Sequence, residues 1–193
     1  MPGYDPDRDL AIVSSMVPEL ERYLLSDELY WPIGGPSLPG GGEYPRLTFG
    51  GLFLALNRLG AVPANLSPEQ SASLARFKEL LETTRSKWVA VADRKLAREI
   101  KSRLDLWSAY LQECSENRSS CADHYPQQVQ YRAMLELLFS ELSRISPASP
   151  HLDQLAMADR QLRAYFSKGE FVWDPTLQAS FPPDTFWFLY GSI

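Results

Sequence analysis

The stretch Ser67–Cys114, SPEQSASLARFKELLETTRSKWVAVADRKLAREIKSRLDLWSAYLQEC, decides the fold class. Its opening is a helix start. Ser67 can accept from the free amides of a first turn, Pro68 suits the first helical position, and Gln70 can reach back to complete a capping box. Apolar side chains then recur at Leu74, Phe77, Leu81, Trp88, Ala92, Leu96, Ile100, Leu104, Trp107 and Leu111, with Thr84 in the same row. Their ten steps cover 37 residues, close to the helical repeat of about 3.6. No Pro or Gly interrupts Glu69–Glu113. Unbroken, such a helix would be roughly 70 Å long, whereas a compact chain of this size has a radius of gyration of about 16 Å. The helix must therefore protrude or break. Thr83–Ser86, the weakest helix formers in the run, predict the break.

The same period recurs on either side. Leu10, Val13, Val17, Leu20 and Leu24 predict a helix over about Asp7–Ser26, kinked near Val17 because Pro18 removes an amide donor. Residues 31–45, WPIGGPSLPGGGEYP, hold nine Gly or Pro in fifteen positions and predict a loop. Thr48–Leu59 predicts a helix that is apolar nearly all round, which belongs inside a bundle. Beyond Cys114, residues 115–124 read as a polar turn, and Pro126–Ile145 as a fourth helix. Ser149-Pro150 repeats the cap-then-proline signal for a fifth helix reaching Ser167, with Gly169 as its stop. The last 24 residues carry seven aromatics interleaved with Pro175, Pro182 and Pro183. Exposed, they would form a large apolar patch, so the extension is expected to lie on the bundle, with short β pieces only around 170–190. The prediction is a single all-α domain over 1–193: a bundle of about five helices with one long, breakable amphipathic helix and an aromatic C-terminal extension.

Composition narrows the function. Of 193 residues, 45% are hydrophobic and 22% charged, the balance of a globular protein. The net charge of −5 disfavours wholesale coating of nucleic acid. The most apolar run, Phe49–Leu56, is far shorter than the roughly 20 residues a bilayer span needs. The opening MPGYDPDRDL has no basic-then-apolar leader, so the expectation is a cytoplasmic protein with reduced thiols.

Chemical motifs are sparse. In the glycine-rich loop, Gly41-Gly42 stand where a phosphate-binding loop needs Lys-Ser. Cys114, Cys121 and His124, with His151 further on, have a spacing that tetrahedral zinc could use, yet no tight knuckle, so neither metal nor cofactor is expected. No nucleophile elbow, H-E-x-x-H or E-x-x-H signature is present.

The charged residues are more informative. Arg85–Arg103 holds seven basic residues against two acidic ones. Lys87, Arg94, Arg98 and Lys101 fall on one helical face, a basic ridge that is either a solvated face or a docking strip for an acidic partner, a nucleic-acid backbone or an anionic lipid surface. Glu99 and Arg103 sit on a row that slides into the apolar face and ends at Trp107, and Asp159 occupies an apolar-stripe position on the fifth helix. A buried charge is costly unless paired, so Arg103 is expected to pair with Glu99, Asp159 or both. Two functions follow. The favoured one is a non-enzymatic protein–protein interaction or assembly module, with a protein partner or a second copy of itself. The alternative is a small-molecule-binding or enzymatic bundle whose pocket, under the 31–45 loop, is floored by Arg103, Glu99 and Asp159 beside Trp107.

Overall fold

A computed structural model describes residues 3–35, 37–143 and 151–193. Among the described residues the chain is predominantly helical, with seven α-helices and one two-stranded sheet. It forms two compact units, Met1–Glu99 and Ile100–Ile193. No helix among the described residues is long and apolar enough to cross a membrane.

The first unit opens with α1 (Pro6–Met16), capped by the Asp5 carboxylate, which accepts from the Asp7 amide at 3.0 Å. The kink predicted near Val17 is a single 3-10 turn, Val17–Glu19, around Pro18. The chain resumes as α2 (Leu20–Leu25). Next comes α3 (Phe49–Ala61), capped by Thr48, whose hydroxyl accepts from the Gly51 amide at 3.1 Å. Phe49, Leu52, Phe53, Leu54, Ala55 and Leu59 are all buried, so α3 is the unit's central helix, as its lack of a polar face predicts. α1 packs directly on it. The Gly/Pro loop is pinned at both ends. Trp31 and Leu47 exchange backbone hydrogen bonds of 3.1 and 2.8 Å. The Arg8 guanidinium donates to the Pro39 and Gly41 carbonyls, and Leu38 is buried. Gly40, Gly41 and Gly42 follow with φ of 77°, 81° and 90°, left-handed conformations that side chains with a Cβ rarely adopt.

The long helix breaks, but later than its propensities suggest. α4 (Pro68–Lys87) carries the capping box: Gln70 N donates to Ser67 Oγ at 3.2 Å, and Ser67 N to Gln70 Oε1 at 2.7 Å. α5 (Val89–Glu116) follows after one residue, Trp88. Thr83–Ser86 stay helical. The break falls at Trp88 because tertiary contacts outweigh propensity there. Lys87 Nζ and the Trp88 indole both donate to the Glu21 carboxylate, at 2.7 and 3.0 Å.

In the second unit, α6 (Arg118–Ser143) corrects the expected polar turn at 115–124. Only Asn117 separates it from α5, and Pro126 lies inside the helix instead of starting it. Cys121, Tyr125 and Val129 are buried at i+4 steps, so the apolar stripe already runs upstream of the proline. The one-residue junction brings the Cα atoms of Cys114 and Cys121 to 5.3 Å, and the two are joined in a disulfide, which replaces the reduced thiols expected from sequence. The Ser149-Pro150 cap and the end of the fourth helix at Ile145 lie outside the described residues. α7 (Leu152–Arg163) is shorter than predicted. After it, β1 (Ser167–Phe171) pairs antiparallel with β2 (Tyr190–Ser192). Gly169 is thus a strand residue and not a helix stop.

The C-terminal extension folds onto its own rings and onto α6. Phe171, Phe181, Phe186 and Phe188 are buried, and Phe181 meets Phe186 edge-on, with centroids 5.0 Å apart. Tyr125 Oη donates to the Phe188 carbonyl at 2.6 Å, and the Trp173 indole to the Pro126 carbonyl at 2.8 Å. The Arg163 guanidinium lies 3.6 Å above the Trp187 ring.

Candidate functional site

Two of the residues singled out as a polar floor, Glu99 and Asp159, each have a polar partner within their own unit. Glu99 belongs to the first unit and is fully buried. Its Oε1 accepts from the Gly50 amide at 3.0 Å, placing a carboxylate in the first turn of α3, where the helix dipole favours negative charge. Asp159, in the second unit, is bound by Arg132. Nε and Nη2 of the guanidinium donate to its two oxygens at 2.8 and 3.0 Å, while Nη1 donates to Glu136 at 2.8 Å. Burial works against the charge on Arg132, but hydrogen bonds and charge from Asp159 and Glu136 more than offset it, so its pKa is raised. Its guanidinium also faces the Phe188 ring at 4.4 Å. The sequence reading missed Arg132, although the signal was present: it sits between buried Val129 and Leu135 on the apolar stripe of α6.

Arg103 is buried, with its guanidinium 5.9 Å from the Tyr131 ring. Trp107 is fully buried beside Tyr110, centroids 5.5 Å apart, and its indole N–H has no acceptor among the described residues. The cavity at the Gly/Pro loop, about 420 Å³, is walled by loop residues alone, from Pro32 to Arg46. His124 is exposed and His151 half-buried.

The basic ridge divides. Lys87 is tied to Glu21, and Lys101, in the second unit, pairs with Asp105 at 2.8 Å. Arg94 and Arg98 instead line an open cleft of about 350 Å³ in the first unit, between the end of α2 and the N-terminal half of α5. Lys95 joins them there. Its stem and ammonium are buried, with only 3% of the residue exposed. Nζ donates to the Glu28 carbonyl and to Ser26 Oγ, and lies 4.3 Å from the Tyr23 ring centroid. Burial, and after it the charge of Arg98, push the Lys95 pKa below the usual lysine range. Arg98 donates to the Asp27 carbonyl at 3.1 Å, and Arg94 has no hydrogen-bond or ion-pair partner among the described residues. The floor is apolar, with Leu24 and Val91, and Leu25 on the rim is 58% exposed. Arrangements of this kind hold anions by charge and adjacent chain by apolar contact. No protein-family model matches this chain, and neither a curated protein nor a solved structure does.

Proposed function

We propose that this chain is a non-enzymatic docking module that takes an acidic segment of a protein partner into the cleft between α2 and α5. One observation carries the reading: Arg94, Lys95 and Arg98 line a single cleft whose only acidic lining residue, among the described residues, is Asp27. In a chain of net charge −5, that local excess of positive charge is selective for acidic partners and steers them on approach. Exposed apolar side chains nearby, Leu25 in the cleft wall and Val89 at the start of α5, supply contact area beside the charges. The aromatic extension, the other large apolar surface in the sequence, buries Phe171, Phe181, Phe186 and Phe188 in the protein's own core.

The test is a titration with a fluorescent peptide of alternating Leu and Glu, against a control with Gln in place of Glu. The wild-type protein is expected to bind the acidic peptide at least about tenfold tighter, with affinity falling as salt rises. The double variant Arg94→Glu/Arg98→Glu is expected to lose that preference while keeping its helical circular-dichroism spectrum. Equal affinity for the two peptides would reject the reading.

A further inference from the structure

Lys95 poses a specific electrostatic problem. A buried ammonium is costly without a counter-charge, and each partner of its Nζ among the described residues is neutral: a hydroxyl, a backbone carbonyl and an aromatic face. Next to it, on consecutive turns of α5, stand two more cations. Arg98 has one nitrogen engaged by the Asp27 carbonyl, and Arg94 has none engaged among the described residues. Against these three positive charges stand two carboxylates, Asp27 in the cleft wall and Glu28 next to it in sequence, both of whose charges act on Lys95. The positive charge that remains in excess selects an anion.

Geometry narrows the choice of anion. A carboxylate offers two oxygens in one plane and suits one guanidinium fork. Arg94 and Arg98 line the cleft from successive turns, with Lys95 between them in sequence and fixed in the wall, so more than one cationic side chain borders it. A phosphoryl group, with three terminal oxygens and close to two negative charges at neutral pH, meets such an arrangement. The cleft is open, so a small phosphorylated molecule would leave much of its surface in water, whereas an extended chain would continue onto Leu25.

We infer that the cleft formed by Arg94, Lys95 and Arg98 is a phosphoryl-binding site, and that its ligand is a phosphorylated side chain in the acidic segment of the partner. This rests on the docking reading above and names the anchor of that segment. Arg94 and Arg98 make the direct contacts. Lys95, held by Ser26, Glu28 and Tyr23, supplies a fixed positive wall.

The experiment uses three forms of one Leu/Glu peptide with a central phosphoserine, glutamate or serine, titrated by fluorescence anisotropy against the full-length protein. Wild type, Arg94→Gln, Arg98→Gln and the double variant are compared, each checked for fold by circular dichroism. These positions are exposed, so the variants are expected to fold, whereas removal of buried Lys95 is avoided. The expected result is phosphoserine at least about tenfold tighter than glutamate in wild type. Each single variant should show less of that advantage and the double variant none. If glutamate binds as well as phosphoserine, and both outbind serine, the phosphoryl assignment falls and the docking reading stands. If none of the peptides binds, both fall. A phosphoserine advantage that persists in the double variant places the phosphoryl group elsewhere and overturns the assignment. So does binding of phosphatidic-acid vesicles without any preference for the phosphopeptide.

Discussion

Asp9, in the first turn of α1, is buried at 4% exposure. It accepts from the Tyr4 hydroxyl at 2.9 Å and faces the Arg58 guanidinium at 4.0 Å. Burial raises its pKa, and the hydrogen bond and Arg58 only partly oppose that rise. A folded-state pKa above the ordinary aspartate value of about 3.9 means the folded protein binds this proton more tightly than the unfolded chain does. The stability linked to that proton is fully present below about pH 3.9 and is lost as pH rises through the folded value. Asp9→Asn should therefore fold more stably relative to wild type at neutral pH than at pH 4. Urea melts at the two pH values check the sign, and a wild-type advantage that grows toward neutrality would refute it. Asp159 shows the opposite use of a carboxylate. It is held by the buried Arg132 fork, so its charge is matched in place.

At the scale of elements, short-range signals were legible and long-range ones were not. The Ser67 capping box, the kink at Pro18 and the burial of the apolar residues of α3 depend on residues a few positions apart, and the sequence states them openly. The position of the break between α4 and α5 depends on Glu21, more than sixty residues away from Trp88, and no local propensity could report it. Pro126 misled for a related reason. A proline inside a helix forfeits one ladder bond, but the buried stripe from Cys121 to Val129 holds α6 together around it. The ridge formed by Lys87, Arg94, Arg98 and Lys101 was visible in the periodicity. That Lys95 joins Arg94 and Arg98 was not, because it depends on Ser26 and Glu28 arriving from another part of the chain. The β1–β2 pair rests on Gly191. A Cβ there would land on the Ser167 carbonyl oxygen and the Phe166 ring. Gly191→Ala should cost at least about 2 kcal/mol in chemical denaturation. A loss of only a few tenths would mean that the two strands can part without consequence.

Over the molecule as a whole, charge and covalent linkage are unevenly spread. In a chain of net charge −5 the first unit holds a cationic cleft, while the second unit carries the Cys114–Cys121 disulfide at the α5–α6 junction. Closing so short a loop restricts the unfolded chain by about 2–3 kcal/mol. Treatment with a phosphine reductant should lower the stability of the second unit by that order. Amide exchange in α1 and α3 should stay as it was; a uniform loss of protection along the chain would contradict this.

The Gly/Pro segment has a different consequence. Because Trp31 and Leu47 zip its two ends together and Arg8 clasps its crest by the carbonyls of Pro39 and Gly41, it behaves like a handle riveted at its base. Foreign residues spliced between Gly41 and Gly42, both exposed, would lengthen only the grip, at an entropic cost that grows slowly with length. That makes the handle a natural place to attach a reporter without disturbing the helices it is fixed to.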